Sequence, residues 1–68
     1  KEVDDTRSEI LNFCSSVSNG QKHNREAFEH EFRLYEKYQR ILKENNLTNG
    51  YVDESMNYVK EAFHKILP

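Results

Sequence analysis

The segment 25–44 constrains the fold most strongly, because it contains no glycine or proline and its apolar residues recur at helical spacing. An α-helix turns by about 100° per residue, so residues three and four positions apart share a face. Two neighbouring apolar stripes result, one of Phe28, Phe32, Tyr35 and Leu42 and the other of Leu34, Tyr38 and Ile41. Together they cover roughly half of the helix, and the other half is almost wholly charged. So wide an apolar face needs two neighbours, which predicts the middle member of a three-helix bundle.

Two Asn-Gly pairs, Asn19-Gly20 and Asn49-Gly50, divide the chain into three parts. Between strands such pairs form hairpin turns, but the helical spacing on both sides makes them helix boundaries. We predict helices over residues 6–17, 25–44 and 49–66, the second being the longest. Short connections favour antiparallel neighbours. The predicted fold is an all-α, small antiparallel three-helix bundle that forms a single helical domain over residues 1–68.

Each predicted helix begins beside a side chain that is typical of an N-cap. Thr6, with Glu9 three positions later, is predicted to form a capping box at the first helix. Asn24 and Thr48 are the predicted caps of the second and third helices. The core residues predicted for the first and third helices are Ile10, Cys14 and Val17, and Val52, Met56, Val59, Phe63 and Ile66.

The composition limits the setting of this 68-residue chain. Cys14 is its single cysteine and cannot form an internal disulfide, which favours an intracellular, reducing location in the cytoplasm or nucleus. No apolar run approaches the roughly 20 residues of a membrane span, so we predict no membrane association. Because the chain begins with Lys1 rather than Met, we expect it to be part of a longer protein.

The sequence predicts neither catalysis nor a cofactor. Cys14 lies between apolar positions, and no glycine-rich phosphate loop or nucleophile elbow is present. The candidate metal-ligand pairs within one helix are Glu26 with His30 and Glu61 with His64. A di-metal site in a bundle needs Glu-x-x-His from two helices, all facing inward. We therefore predict no metal site.

Aromatic residues form the feature that most favours a binding function. Tyr51 and Tyr58 lie one heptad apart on the flank of the third helix, and tyrosine is frequent at interface hot spots. The alternative is that they are core-edge side chains with hydrated hydroxyls. Our leading hypothesis is a non-catalytic protein–protein interaction module that binds a partner peptide or helix, or a second copy of itself. Its predicted surface is Leu34, Tyr38, Ile41, Tyr51 and Tyr58.

A second hypothesis is phosphate or nucleic-acid binding through basic residues just before and along the second helix. Helix N-termini attract anions. The candidate contacts are Lys22, Arg25, Arg33, Lys37 and Arg40. Against it, the chain has 10 basic and 12 acidic residues, whereas nucleic-acid binders carry a basic excess. A third possibility is a spacer without a ligand of its own.

Overall fold

The protein is a three-helix bundle, as the sequence predicts. In the computed structural model, which describes the backbone of residues 2–67 and the side chains of residues 4–67, the helices are α1 (Glu2–Ser18), α2 (Arg25–Glu44) and α3 (Gly50–Ile66). The described residues contain no strand, and α2 is the longest element. Residues 1 and 68 of the predicted domain lie outside this range.

Ring contacts of Phe28 give the directions of the helices. Phe28, near the start of α2, lies 5.3 Å from Phe13 near the end of α1 and 5.3 Å from Phe63 near the end of α3, measured between ring centroids. Each of these pairs joins opposite ends of consecutive helices. Consequently α2 is antiparallel to both neighbours, and α1 and α3 are parallel. The backbone of α1 lies close to both other helices, whereas α2 and α3 meet mainly through large side chains.

The core follows a seam in which buried positions alternate three and four residues apart. On α2 the seam consists of Phe28, Glu31, Tyr35, Tyr38 and Leu42. The apolar core as a whole consists of Ile10, Val17, Phe28, Tyr35, Tyr38, Leu42, Val52, Met56 and Val59. Glu31 therefore occupies a position that the register reserves for an apolar side chain.

Two of the three predicted N-caps are wrong. α1 begins several residues before Thr6, which is a buried side chain inside the helix. α3 begins at Gly50, and its cap is Asn49, whose Oδ1 accepts from the amide of Val52 at 3.2 Å. Thr48 lies one residue too early to cap that helix. Asn24 is confirmed as the cap of α2, because its Oδ1 accepts from the amide of Ala27 at 2.8 Å.

The C-termini of α1 and α2 end in the same backbone motif, although different residues form it. After α1, Gly20 adopts a φ of 85° and its amide donates to Val17, while Gln21 donates to Ser16. After α2, Asn46 adopts a φ of 56° and Leu47 donates to the carbonyl of Leu42. Both are Schellman motifs, which need a left-handed residue that glycine supplies best and asparagine tolerates.

The core stripe predicted for α3 is too long at its C-terminal end. Val52, Met56 and Val59 are fully buried, and Phe63 is half-buried against the core. Ile66 is 60% exposed, which contradicts its predicted core position. Of the helices within residues 2–67, none is both long and apolar enough to cross a membrane.

Candidate functional site

The structure places the five residues of the predicted partner surface in different environments. Tyr38 is 1% exposed, and its hydroxyl accepts from Nδ2 of Asn49 at 3.0 Å. It belongs to the core, so its predicted place on an exposed surface is wrong. Leu34 and Ile41 are half-buried on α2, and Leu34 packs against the core.

Tyr51 and Tyr58 do lie at the surface, with 68% and 45% of each residue exposed. Tyr58 borders a shallow depression of about 210 Å³ whose lining residues all belong to α1 and α3. They are Val17, Tyr58, Glu61, Ala62, Lys65 and Ile66. Because Tyr38 is buried in the core, the five predicted residues do not form one exposed surface. Tyr58 instead joins Val17, Ala62 and Ile66 in an apolar patch, which we call the α1–α3 surface.

The five predicted basic contacts are all exposed but are not brought together. Arg25 and Arg40 stand 15 positions apart on α2, which corresponds to roughly 22 Å along the helix. Arg25 also serves the fold, because it donates to the carbonyl of Leu67 at 3.4 Å and lies 5.2 Å over the ring of Phe63. This pair of contacts ties the start of α2 to the end of α3.

Potential catalytic groups are held in structural hydrogen bonds. Ser16 Oγ donates to the carbonyl of Phe13 at 2.7 Å and lies 2.8 Å from Nε2 of His23. While the hydroxyl proton is donated to Phe13, Oγ of Ser16 can only accept a hydrogen bond from Nε2 of His23. The thiol of Cys14 donates to the carbonyl of Ser55 at 3.4 Å. These contacts fasten the first connection and α3 to α1.

A depression of about 500 Å³ lies between the end of α2 and the start of α3. Its acid, Asp53, accepts a short hydrogen bond of 2.6 Å from the hydroxyl of Tyr35, which in turn accepts from Gln39 at 3.0 Å. Burial, followed by this bond and the charge of Asp53, raises the pKa of Tyr35 to about 12. The phenol therefore stays protonated and links α2 to α3.

The most unusual polar group is the carboxyl of Glu31, which is 4% exposed. Its Oε1 is buried and has no hydrogen-bond partner among the residues that the structure describes. His30 Nε2 lies 3.2 Å from Oε2 of Glu9 and 3.9 Å from Oε2 of Glu31. We call these three side chains, Glu9, His30 and Glu31, the Glu–His cluster.

Burial and the neighbouring acid together change the ionisation of Glu31. Desolvation is the largest cause, and the hydrogen bond and repulsion from the carboxyl of Glu9 add to it, raising the pKa of Glu31 to about 8. Two carboxyls can hydrogen-bond each other only when one of them holds a proton. Near neutral pH the pair therefore retains a proton unless another positive charge replaces it.

Ligand pairs within single helices do not include this cluster, because Glu9 belongs to α1 and His30 and Glu31 belong to α2. A usable signal was nevertheless present in the sequence. Glu31 stands three residues after Phe28 and four before Tyr35, at a seam position of the heptad pattern. A glutamate at such a position must either bend away or be buried with a partner.

Comparison with known proteins assigns no family. No family model matches the chain, and neither a curated protein nor a solved structure is significantly similar to it.

Proposed function

We propose that this chain is a non-catalytic protein-interaction module that binds a helix of a partner protein along the α1–α3 surface. The observation that carries the proposal is the exposure of Tyr58 and Ile66 on one side of α3, on either side of the half-buried Ala62. The spacing 58, 62, 66 is that of one helix face. Its small central residue leaves room for a partner side chain between two large ones.

The surface suits a helical partner because it is long and narrow. Tyr51 lies one heptad before Tyr58, so the stripe from Tyr51 to Ile66 runs for roughly 22 Å along α3. Glu61 and Lys65 border it and are exposed. A partner helix with apolar residues three and four positions apart and charges of both signs at its edges would match this arrangement.

The size of the surface favours a transient complex with a separate protein over a permanent dimer of this chain. Four or five side chains cover far less than the roughly 800 Å² per partner of a standard interface. The module is proposed to work inside the cell, which its single free cysteine, Cys14, supports.

The test is affinity capture from a native extract with three forms of the chain. Wild type should retain a partner that Tyr58→Ala/Ile66→Ala does not retain. Leu47→Ala is the matched control, because Leu47 is also an exposed large apolar residue but lies in the connection between α2 and α3. All three forms should melt within a few degrees of one another, since exposed side chains contribute little to stability.

Two results would contradict this proposal. Equal capture by the double variant and by wild type would show that another surface binds. Unfolding of the double variant would show that Tyr58 and Ile66 stabilise the fold rather than bind a partner. Sedimentation equilibrium measures the oligomeric state of the isolated chain. If wild type forms a dimer at micromolar concentration and the double variant does not, the α1–α3 surface binds a second copy of the chain rather than a separate protein.

The phosphate or nucleic-acid hypothesis receives no comparable support from the geometry. Its candidate residues are spread along α2, and Arg25 is engaged with Leu67 and Phe63. Exposed glutamates such as Glu29 and Glu36 share the outer part of α2 with Arg33. Phosphates placed there would meet acidic as well as basic side chains.

A further inference from the structure

We infer that Glu9, His30 and Glu31 form a binding site for a divalent transition-metal ion of the zinc class, which joins α1 to α2. The inference is independent of the α1–α3 surface and differs from the sequence prediction of no metal site. It rests on the distances within the Glu–His cluster and on the buried, unpartnered oxygen of Glu31.

The ligand atoms are already grouped around a common centre. One oxygen of each carboxylate and one ring nitrogen of His30 all lie within 4.8 Å of one another. Zinc bonds of about 2.0–2.2 Å at tetrahedral angles place ligand atoms roughly 3.3–3.5 Å apart. The observed separations from His30 Nε2, 3.2 Å to Glu9 and 3.9 Å to Glu31, bracket that spacing. The carboxylate oxygens of Glu9 and Glu31 lie within 4.8 Å of each other, so the exposed side chains of Glu9 and His30 need to move by at most roughly 1.4 Å to complete the geometry.

The buried carboxyl of Glu31 is the independent indication that a cation belongs here. A polar atom shielded from water and left without a partner normally costs stability, so natural proteins rarely retain one. Glu31 is 4% exposed, and its Oε1 has no partner within the described part of the chain. Oε2 of the same carboxylate lies 3.9 Å from Nε2 of His30, so a metal ion chelated by both oxygens of Glu31 would supply the interaction that Oε1 lacks. The charges of Glu9 and Glu31 would balance a divalent cation.

The other two ligands determine access and metal preference. Glu9 and His30 are about half exposed, so an ion can enter from solvent and water can complete the coordination. An imidazole ligand favours zinc and neighbouring transition metals, whereas calcium and magnesium prefer oxygen ligands alone. We therefore expect Zn²⁺ and Co²⁺ to bind, and Mg²⁺ and Ca²⁺ to bind far more weakly.

The experiment is a titration of the chelator-treated chain with Zn²⁺, followed by calorimetry and by thermal melting. We expect one ion per chain and a rise in Tm of roughly 10–20 °C when free Zn²⁺ exceeds Kd about 100-fold. Co²⁺ provides a second readout. In a tetrahedral site this ion absorbs visible light much more strongly than the hexahydrated ion does.

Matched variants locate the ion. Glu31→Gln and His30→Gln each remove one ligand and should weaken Zn²⁺ binding at least about tenfold. His64→Gln and Cys14→Ser remove a histidine and a thiol outside the cluster and should bind as wild type does. His30 is largely exposed, so His30→Gln tests the site without disturbing the core.

Three outcomes would overturn the inference. One is the absence of Zn²⁺-dependent heat and of a Tm shift in wild type. Another is full binding by Glu31→Gln or His30→Gln. The third is loss of binding in His64→Gln or Cys14→Ser with the cluster variants unaffected, which would place the ion elsewhere.

Discussion

At the scale of single residues, Glu31 combines a charged side chain with a core position. Its neighbours on the seam of α2, Phe28 and Tyr35, are buried aromatic residues, and its own carboxyl lies beside that of Glu9. Burial disfavours the ionised form, so the folded protein holds a proton on Glu31 at a pH where the unfolded chain does not. The stability of the metal-free protein must then depend on pH.

The sign of that dependence follows from the raised pKa of Glu31. Between the ordinary value of 4.5 and about 8, the folded chain binds more protons than the unfolded chain. The free energy of unfolding should therefore decrease as pH rises through this window, with the contribution of Glu31 complete below pH 4.5 and lost above pH 8. Urea unfolding at pH 5 and pH 8 in the presence of a chelator measures the difference between wild type and Glu31→Gln.

The Glu31→Gln variant should be the more stable of the two at pH 8, by roughly 1–3 kcal/mol, because a neutral amide replaces a buried charge and can donate to Glu9. The difference should shrink towards pH 5. A difference between the two proteins that stays constant from pH 5 to pH 8 would show that Glu31 ionises as it does in water. Glu29→Gln, an exposed change on the same helix, is the control that should show no such trend.

At the scale of elements, the ends of the helices depend on which side chain reaches which backbone group. Gly20 and Asn46 close α1 and α2 by the same Schellman pattern, although the sequence marks only the first with glycine. The second Asn-Gly pair has a different role, because Gly50 is the first residue of α3 and Asn49 is its cap. A dipeptide that indicates a boundary does not say which side of the boundary it occupies.

The cap of α3 can be tested with adjacent substitutions. Asn49→Ala removes the bond to the Val52 amide and the bond to the Tyr38 hydroxyl, so we expect a loss of about 1–2 kcal/mol in the free energy of unfolding. Thr48→Ala should change it by less than about 0.5 kcal/mol, because Thr48 is an exposed residue outside the helix. Thermal unfolding of both variants provides the measurement, and a larger loss for Thr48→Ala would reinstate Thr48 as the cap.

At the scale of the whole molecule, an aromatic cluster at one end of the bundle holds the three helices together. Phe28 of α2 contacts Phe13 of α1 and Phe63 of α3, and Phe32 also meets Phe63, with 5.3 Å between those two ring centroids. Such contacts add to the burial energy of the rings. A small domain has few other sources of stability, so the loss of one central ring is severe.

Phe28→Ala should therefore cost about 3–5 kcal/mol and leave the chain largely unfolded at room temperature. Ile66→Ala is the control, because it also removes a large apolar side chain but from an exposed position. Its melting curve should stay within a few degrees of that of wild type. Circular dichroism at 222 nm follows both. A cooperative, unshifted melt for Phe28→Ala would contradict the central role of this cluster.

The sequence by itself determined the number of helices, their approximate bounds and most of the apolar core, because helical periodicity and chain punctuation are local properties. It could not determine which flank of α2 is covered or where the buried part of α3 ends, so it predicts Tyr38 at the surface and Ile66 in the core. The predicted cap of α3 is wrong because Thr48 and Asn49 are adjacent and both residue types can cap a helix. The predicted cap of α1 is wrong because that helix begins before Thr6. The α1–α3 surface and the Glu–His cluster were decided only by tertiary structure, since each combines side chains from two helices whose relative rotation depends on how all three pack. The physical reason is that a spacing along one helix specifies a face, but only the packing of neighbouring helices decides which groups of that face are buried together.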